Sequence, residues 1–131
     1  MKIGICSSYQ EGANLKEIPF DYLEEHVQRF LVPELEQESF EEHWHKARLL
    51  PLPIETANCL LPATLPLVAT ATRQVDTPRL ERYMKTALRR AEQIGIRLFV
   101  FGSGEARACP PGHSREDAVQ QLGEHLARWS G

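Results

Sequence analysis

The sequence carries no excess of basic charge. Fifteen Lys and Arg stand against eighteen Asp and Glu, a net charge of −3. Binding to a phosphate backbone needs clustered Lys and Arg. Here the basic residues lie mostly along helical stretches, interleaved with Glu, as on solvated faces. Nucleic acid is therefore not an expected partner. Long apolar runs are missing too. None approaches the ~20 residues that span a bilayer, so no membrane partner is expected. The opening "MKIGICSSY" has too short an apolar core for a signal peptide. Cysteine is scarce: Cys6, Cys59 and Cys109 are far apart and form no CxxC pair. That excludes a disulfide framework and a zinc knuckle, and a reducing cytoplasm is expected. No repeat of solenoid type is present. What remains is an ordinary globular composition, 42% hydrophobic and 25% charged over 131 residues, the size of one domain.

Strand and helix signals alternate along the chain. Residues 2–8 read as a short β-branched strand ending in small polar residues. Residues 11–18 read as one or two helical turns stopped by Pro19. "FDYLEEHVQRFL" begins as a strand near 20–27, and its end is open between a loop and a helical turn. In "SFEEHWHKARLL", Ser39 and Glu42 have capping-box spacing, and Phe40, Trp44, Ala47 and Leu50 form an apolar stripe. Residues 54–59 read as a third strand between prolines. Residues 63–75 read as an extended connection.

The strongest element is "DTPRLERYMKTALRRAEQIG". Thr77 stands as N-cap, Pro78 at the first helical position and Gly95 at the C-terminal cap. Leu80, Tyr83, Met84, Ala87, Leu88, Ala91 and Ile94 recur at helical spacing. "IRLFVF", residues 96–101, is nearly continuous in apolar character, as in a strand covered on both faces. Ser114 then caps a helix whose apolar face is Ala118, Val119, Leu122, Leu126 and Trp129. Four strands, each followed by something helical, predict an α/β fold with a parallel sheet and right-handed crossovers.

Five segments carry a resemblance: "MKIGICSS", "KEIPFDYLEEHV", "IETANCLLP", "RLERYMKTALRRAEQIGIRLFVFGSGEAR" and "PPGHSREDAVQQL". In this order they resemble the first half of the sugar phosphate isomerase/epimerase family, within the xylose-isomerase-like barrel superfamily. The similarity is weakest from Gln28 to Glu38. It implies a parallel (β/α)4 unit, half of a (β/α)8 barrel that takes eight strands and ~250 residues. In full-length relatives it implies a divalent metal (Mg, Mn or Zn) held at the ends of strands five to eight. No metal ligand is therefore carried over to this chain, and no cofactor is expected in it. A sister branch, the type-IV AP endonucleases, holds zinc with histidines after strands three and four. Those places here read "ANC" and "FGSG", which excludes DNA repair.

In a barrel, function sits at the carboxyl ends of the strands. Glu24 is the candidate catalytic acid or base, because the resemblance sets it in the barrel mouth. Ser7, Asn58, Ser103 and Arg107 are the candidate substrate contacts. The glycine pair in "GSG" permits positive φ and close approach, with a plain turn as the alternative. Arg107 suits a phosphate or carboxylate, or is simply solvated. The helix start at Ser114 offers free N–H groups to an anion, as every helix start does. His26 and His113 are candidates for proton transfer, because imidazole in general titrates near neutrality, with a hydrogen-bonded or exposed side chain as the alternative. His43 and His45, two apart on a helix, face different ways and make no metal pair. Cys6 and Cys59 are expected as small buried hydrophobes.

Two readings follow. In one, the chain is the amino-terminal half of an isomerase or epimerase, acting on a small sugar or sugar phosphate once a second half is supplied. In the other, it is a catalytically silent half-barrel that self-associates or docks on a partner chain, with a homo-oligomer expected. The ending "LARWSG" falls where the family's fourth helix continues toward a fifth strand, which favours truncation.

Overall fold

The structure, a computed structural model, describes residues 1–14 and 19–130. Its elements are β1 (Gly4–Cys6), α1 (Tyr9–Gly12), β2 (Tyr22–His26), a π-helical turn (Val27–Leu31), α2 (Gln37–Ala47), β3 (Ile54–Asn58), α3 (Thr77–Ile94), β4 (Leu98–Phe99) and α4 (Arg115–Trp129). The strands form one sheet in the order β1-β2-β3-β4, and every neighbouring pair is parallel. The α/β class and the parallel sheet thus stand as expected. The expected helical turns at 11–18 start earlier, at Tyr9, and residues 15–18 lie outside the described residues.

Strand period two divides the sheet's side chains. Leu23, Glu25 and Val27 are buried with Ala57, Phe40, Leu80, Met84 and Ala87, on the face that carries the core. Tyr22, Glu24, His26, Thr56 and Asn58 alternate with them and are only half-buried. A sheet wound in sequential order with right-handed crossovers puts its helices on one face, which leaves the second face open. The register skips a residue between Leu23↔Ile54 and Glu24↔Thr56. That irregularity sets Glu24 beside Thr56, and His26 then pairs with Asn58.

Helix α3 forms for the reasons its sequence suggests. Its apolar positions Leu80, Tyr83, Met84, Ala87 and Ala91 are buried. Gly95 ends it in the left-handed region, at φ 86°. The capping residue is Asp76 rather than Thr77, its side chain accepting from the Arg79 N–H at 3.0 Å. Arg90 belongs to the same buried face and is 1% exposed. It donates to the carbonyls of Leu31, Val32 and Leu35 and to Gln37, and lies 5.2 Å from the Phe40 ring centroid. A π-turn leaves its last carbonyls without intrahelical donors, and a buried guanidinium supplies them. Val32, which follows the turn, sits at φ 40°.

Four further expectations are corrected. Helix α2 starts at Gln37 after Glu36, so Ser39 lies inside its first turn and caps nothing. Residues 96–101 supply only a two-residue strand, with Leu98 55% exposed and Val100 exposed too, because β4 is the sheet's edge and these side chains face its open side. In α4, Val119 and Leu126 point outward. Ala118 is buried, and Leu122 and Trp129 pack against the core as expected. Gln121, bonded to both Ala69 backbone groups, and His125, bonded to the Leu67 carbonyl, dock the helix beside them. Cys6 is exposed rather than buried, and all three cysteines are free thiols.

Candidate functional site

The carboxyl ends of β1, β2 and β3 bring four side chains together on the open face. Glu24 Oε1 accepts from Asn58 Nδ2 at 2.9 Å, and Oε2 accepts from Thr56 Oγ1 at 3.0 Å. Asn58 Nδ2 also lies 2.9 Å from Cys6 Sγ. Strand pairing is the cause: Cys6 is opposite Glu24 on one side, and Thr56 opposite it on the other. The carboxylate is therefore oriented before any ligand arrives. Two donors fix it without a cation, and its remaining lone pairs face an open cavity of about 220 Å³.

The cavity walls include Ser7, Ser8, His26, Arg29 and Cys59 besides Cys6, Glu24 and Asn58. A second cavity of about 320 Å³ shares Ser8, Glu11, Glu25 and Arg29 with it. Ser8 and Glu11 form a capping box at the start of α1: Ser8 Oγ accepts from the Glu11 N–H at 3.3 Å and lies 3.1 Å from its carboxylate. The hydroxyls of Ser8 and Ser7 hold the Glu11 carboxyl below its ordinary range, the Ser8 bond most of all.

Glu25 lies on the covered side of the strand. It is 3% exposed, and its two oxygens take the backbone N–H groups of Tyr9 and His26. Burial pushes its carboxyl up, more strongly than these two bonds and the Arg29 charge pull it down. Burial and then Arg29 push the His26 imidazole down, which favours the neutral ring. Its Nδ1 is buried and has no hydrogen-bond partner among the described residues. The site so joins a fixed carboxylate, a neutral imidazole, a thiol and a guanidinium around one opening.

Of the sequence candidates, Glu24, Ser7 and Asn58 meet in this cavity, and His26 joins them. Ser103 and Arg107 do not line it. Ser103 Oγ accepts from the Leu61 N–H at 2.9 Å and ties the loops after β3 and β4 together. Arg107 Nε donates to the Gly102 carbonyl at 2.6 Å, within its own loop. Positive φ in "GSG" falls on Ser103, at 28°, and not on the glycines. Cys59, directly after β3, is at 51°. Such conformations store about 1–3 kcal/mol each and gather where surrounding structure holds a site in shape. Ser114 caps α4 as expected, but Glu116 and Asp117 occupy the first turn and would repel an anion there. His113 lies outside this cavity, and His43 bonds the Phe30 carbonyl, at 3.2 Å.

Sequence reasoning missed Thr56, Arg29 and Glu25. The alternation in "YLEEH" held the signal for Glu25, since it shares parity with Leu23 and Val27. Thr56 and Arg29 depend on register and on the π-turn, which leave no mark in the sequence. No family model matches this chain, and no curated protein or solved structure matches it. Among the described residues no group of three or more His, Cys, Asp and Glu is arranged to hold a metal ion, and no helix is long and apolar enough to cross a membrane.

Proposed function

We propose that this chain is the amino-terminal half of a (β/α)8-type barrel of the sugar phosphate isomerase/epimerase kind, and that its open face binds a small sugar or sugar phosphate. The observation that carries the reading is Glu24 fixed by Thr56 and Asn58 at the carboxyl ends of adjacent parallel strands, where barrels hold their substrates. Glu24 takes or returns the proton beside the carbonyl, at the oxygen lone pairs left free by its two donors. Asn58 and Ser7 hold hydroxyl groups, and His26, as a neutral ring, accepts or donates one hydrogen bond. Ser103 and Arg107 stand in the loop after β4, at the rim, and meet the ligand only if that loop folds over it.

A divalent metal, expected in full-length relatives, does not fit the donors that this chain presents. Each Glu24 oxygen already accepts one bond, from Asn58 and Thr56, and among the described residues no group of three or more His, Cys, Asp and Glu is arranged to hold a metal ion. No step here is routed through a metal.

The test is a titration followed by amide chemical shifts, using aldoses, ketoses and their phosphates. Ligands of the right class shift Glu24, Thr56 and Asn58, and Glu24→Gln weakens binding at least about tenfold, a loss of about 1.4 kcal/mol. Isomerase assays with Mg, Mn and Zn, on this chain and on any longer product of the same locus, then test the chemistry. No shift with any sugar would leave the catalytically silent reading standing alone.

A further inference from the structure

The chain exposes more surface than a monomer of its mass should. Its accessible surface is 8206 Å² at 14.9 kDa. A compact monomer of that mass exposes roughly 7,000 Å². The excess, about 1,200 Å², exceeds the roughly 800 Å² that each partner contributes to a standard interface. Several exposed apolar side chains stand at the two edges of the sheet, while Leu35, Leu49 and Leu88 are exposed elsewhere. At the first edge Ile3 is half exposed, next to Met1. At the other are Leu98 of β4 and Val100 just after it, and α4 exposes Val119 and Leu126, at 61% and 47%. Val119 and Leu126, two turns apart, form a short exposed stripe on α4, while Leu122 between them packs against the core.

We infer that a second copy of this chain covers these edges, with β4 of each copy pairing in parallel with β1 of the other. The inference rests on the half-barrel reading above. Three features select this occupant. Four sequentially ordered parallel strands are half of the eight that close a cylinder of this kind. A twofold arrangement joining β4 to β1 makes both junctions at once, whereas pairing β4 with β4 is antiparallel and leaves both β1 edges bare. The β1 edge also has bonds to give: the Ile3 carbonyl and the Ser7 N–H point to β2, so by alternation the backbone groups of Gly4 and Cys6 point off the free side. The α4 stripe then lies over the junction, against the partner's α1 region. The two copies' open faces enclose one lumen, with a Glu24 site from each.

Sedimentation of the intact chain over the micromolar range tests this. The expected species has twice the 14.9 kDa chain mass. Val119→Glu and Leu98→Glu change exposed residues, so each folds, judged by circular dichroism, and each weakens the dimer about tenfold or more. Amide exchange of β1 and β4 slows as concentration rises, while that of α2 does not. A monomer at every concentration overturns the inference, whether or not it binds a hydrophobic dye, and so does a dimer without concentration-dependent protection of β1 and β4. The functional reading fails separately: Glu24→Gln leaves the dimer intact, so a dimer that binds no sugar sinks only that reading, and a monomer that binds sugar sinks only this one.

Discussion

Arg90→Met is the sharpest probe of how the β2 loop is held. Methionine keeps most of the buried stem and removes every donor. The guanidinium serves the carbonyls of Leu31, Val32 and Leu35, and the Gln37 side chain. Gln37 and Leu35 lie near the surface and can turn to water, so their loss costs little. Leu31 and Val32 are buried; the Val32 carbonyl keeps the Leu35 N–H at 2.9 Å, but the Leu31 carbonyl is left unpaired at about 1–3 kcal/mol. The contact with the Phe40 ring adds about 1–2 kcal/mol where desolvated. Against this, removing a buried cation relieves a desolvation cost, visible in the downward push of burial on the Arg90 pKa. The net expectation is a destabilisation of about 2–3 kcal/mol, above the usual effect of a single substitution. In urea, with a slope of about 1–3 kcal/mol per molar, the midpoint falls by about 0.7 M or more. Arg90→Lys keeps the charge but not the planar fork, so it recovers only part of the loss. A midpoint shift for Arg90→Met equivalent to less than about 1 kcal/mol would refute the reasoning, since it would mean that water or relaxation satisfies the Leu31 carbonyl.

Two further outcomes follow from buried groups. The Glu25 carboxyl is raised by burial above its value in the unfolded chain. The native state therefore holds this proton more tightly, and the contribution to stability falls as pH rises from about the model-peptide carboxyl range through the raised native value. Glu25→Gln removes that slope, which urea unfolding between mildly acidic and neutral pH measures; an unchanged slope would show that another group causes it. At Gly4, an added Cβ would lie 2.2 Å from the Tyr22 ring. Gly4→Val should push that ring away from β1 along the open face and cost about 1–3 kcal/mol, read as a drop in melting temperature with a change in tyrosine fluorescence.

Much of the fold was legible because its causes are local. Pro78, the 3.6-residue spacing of Leu80, Tyr83, Met84 and Ala87, and the glycine at 95 require no distant partner to make α3. Ser114 captures the Asp117 N–H within its own turn. The strand centres at residues 4–6, 22–26 and 54–58 show in short apolar runs between breakers. The candidate site was half legible. Glu24, Ser7 and Asn58 stand at strand ends, and strand ends can be read from local pattern. Ser103 stands at one too, yet its hydroxyl was claimed by the Leu61 amide, a residue 42 positions away.

The sequence by itself determined which segments are helix and strand, and that the strands run parallel, because propensity, capping and the length of connections act over a few residues. Only the tertiary structure decided which β3 residue stands beside Glu24, that Gln121 and His125 dock α4, and that Arg90 is buried. Those outcomes hang on a one-residue register shift, on Gln121 and His125 bonding to a loop 52 to 58 residues distant, and on carbonyls released by a π-turn. Each is a bond between remote groups competing with local apolar pattern. In each case the need to satisfy buried polar groups won.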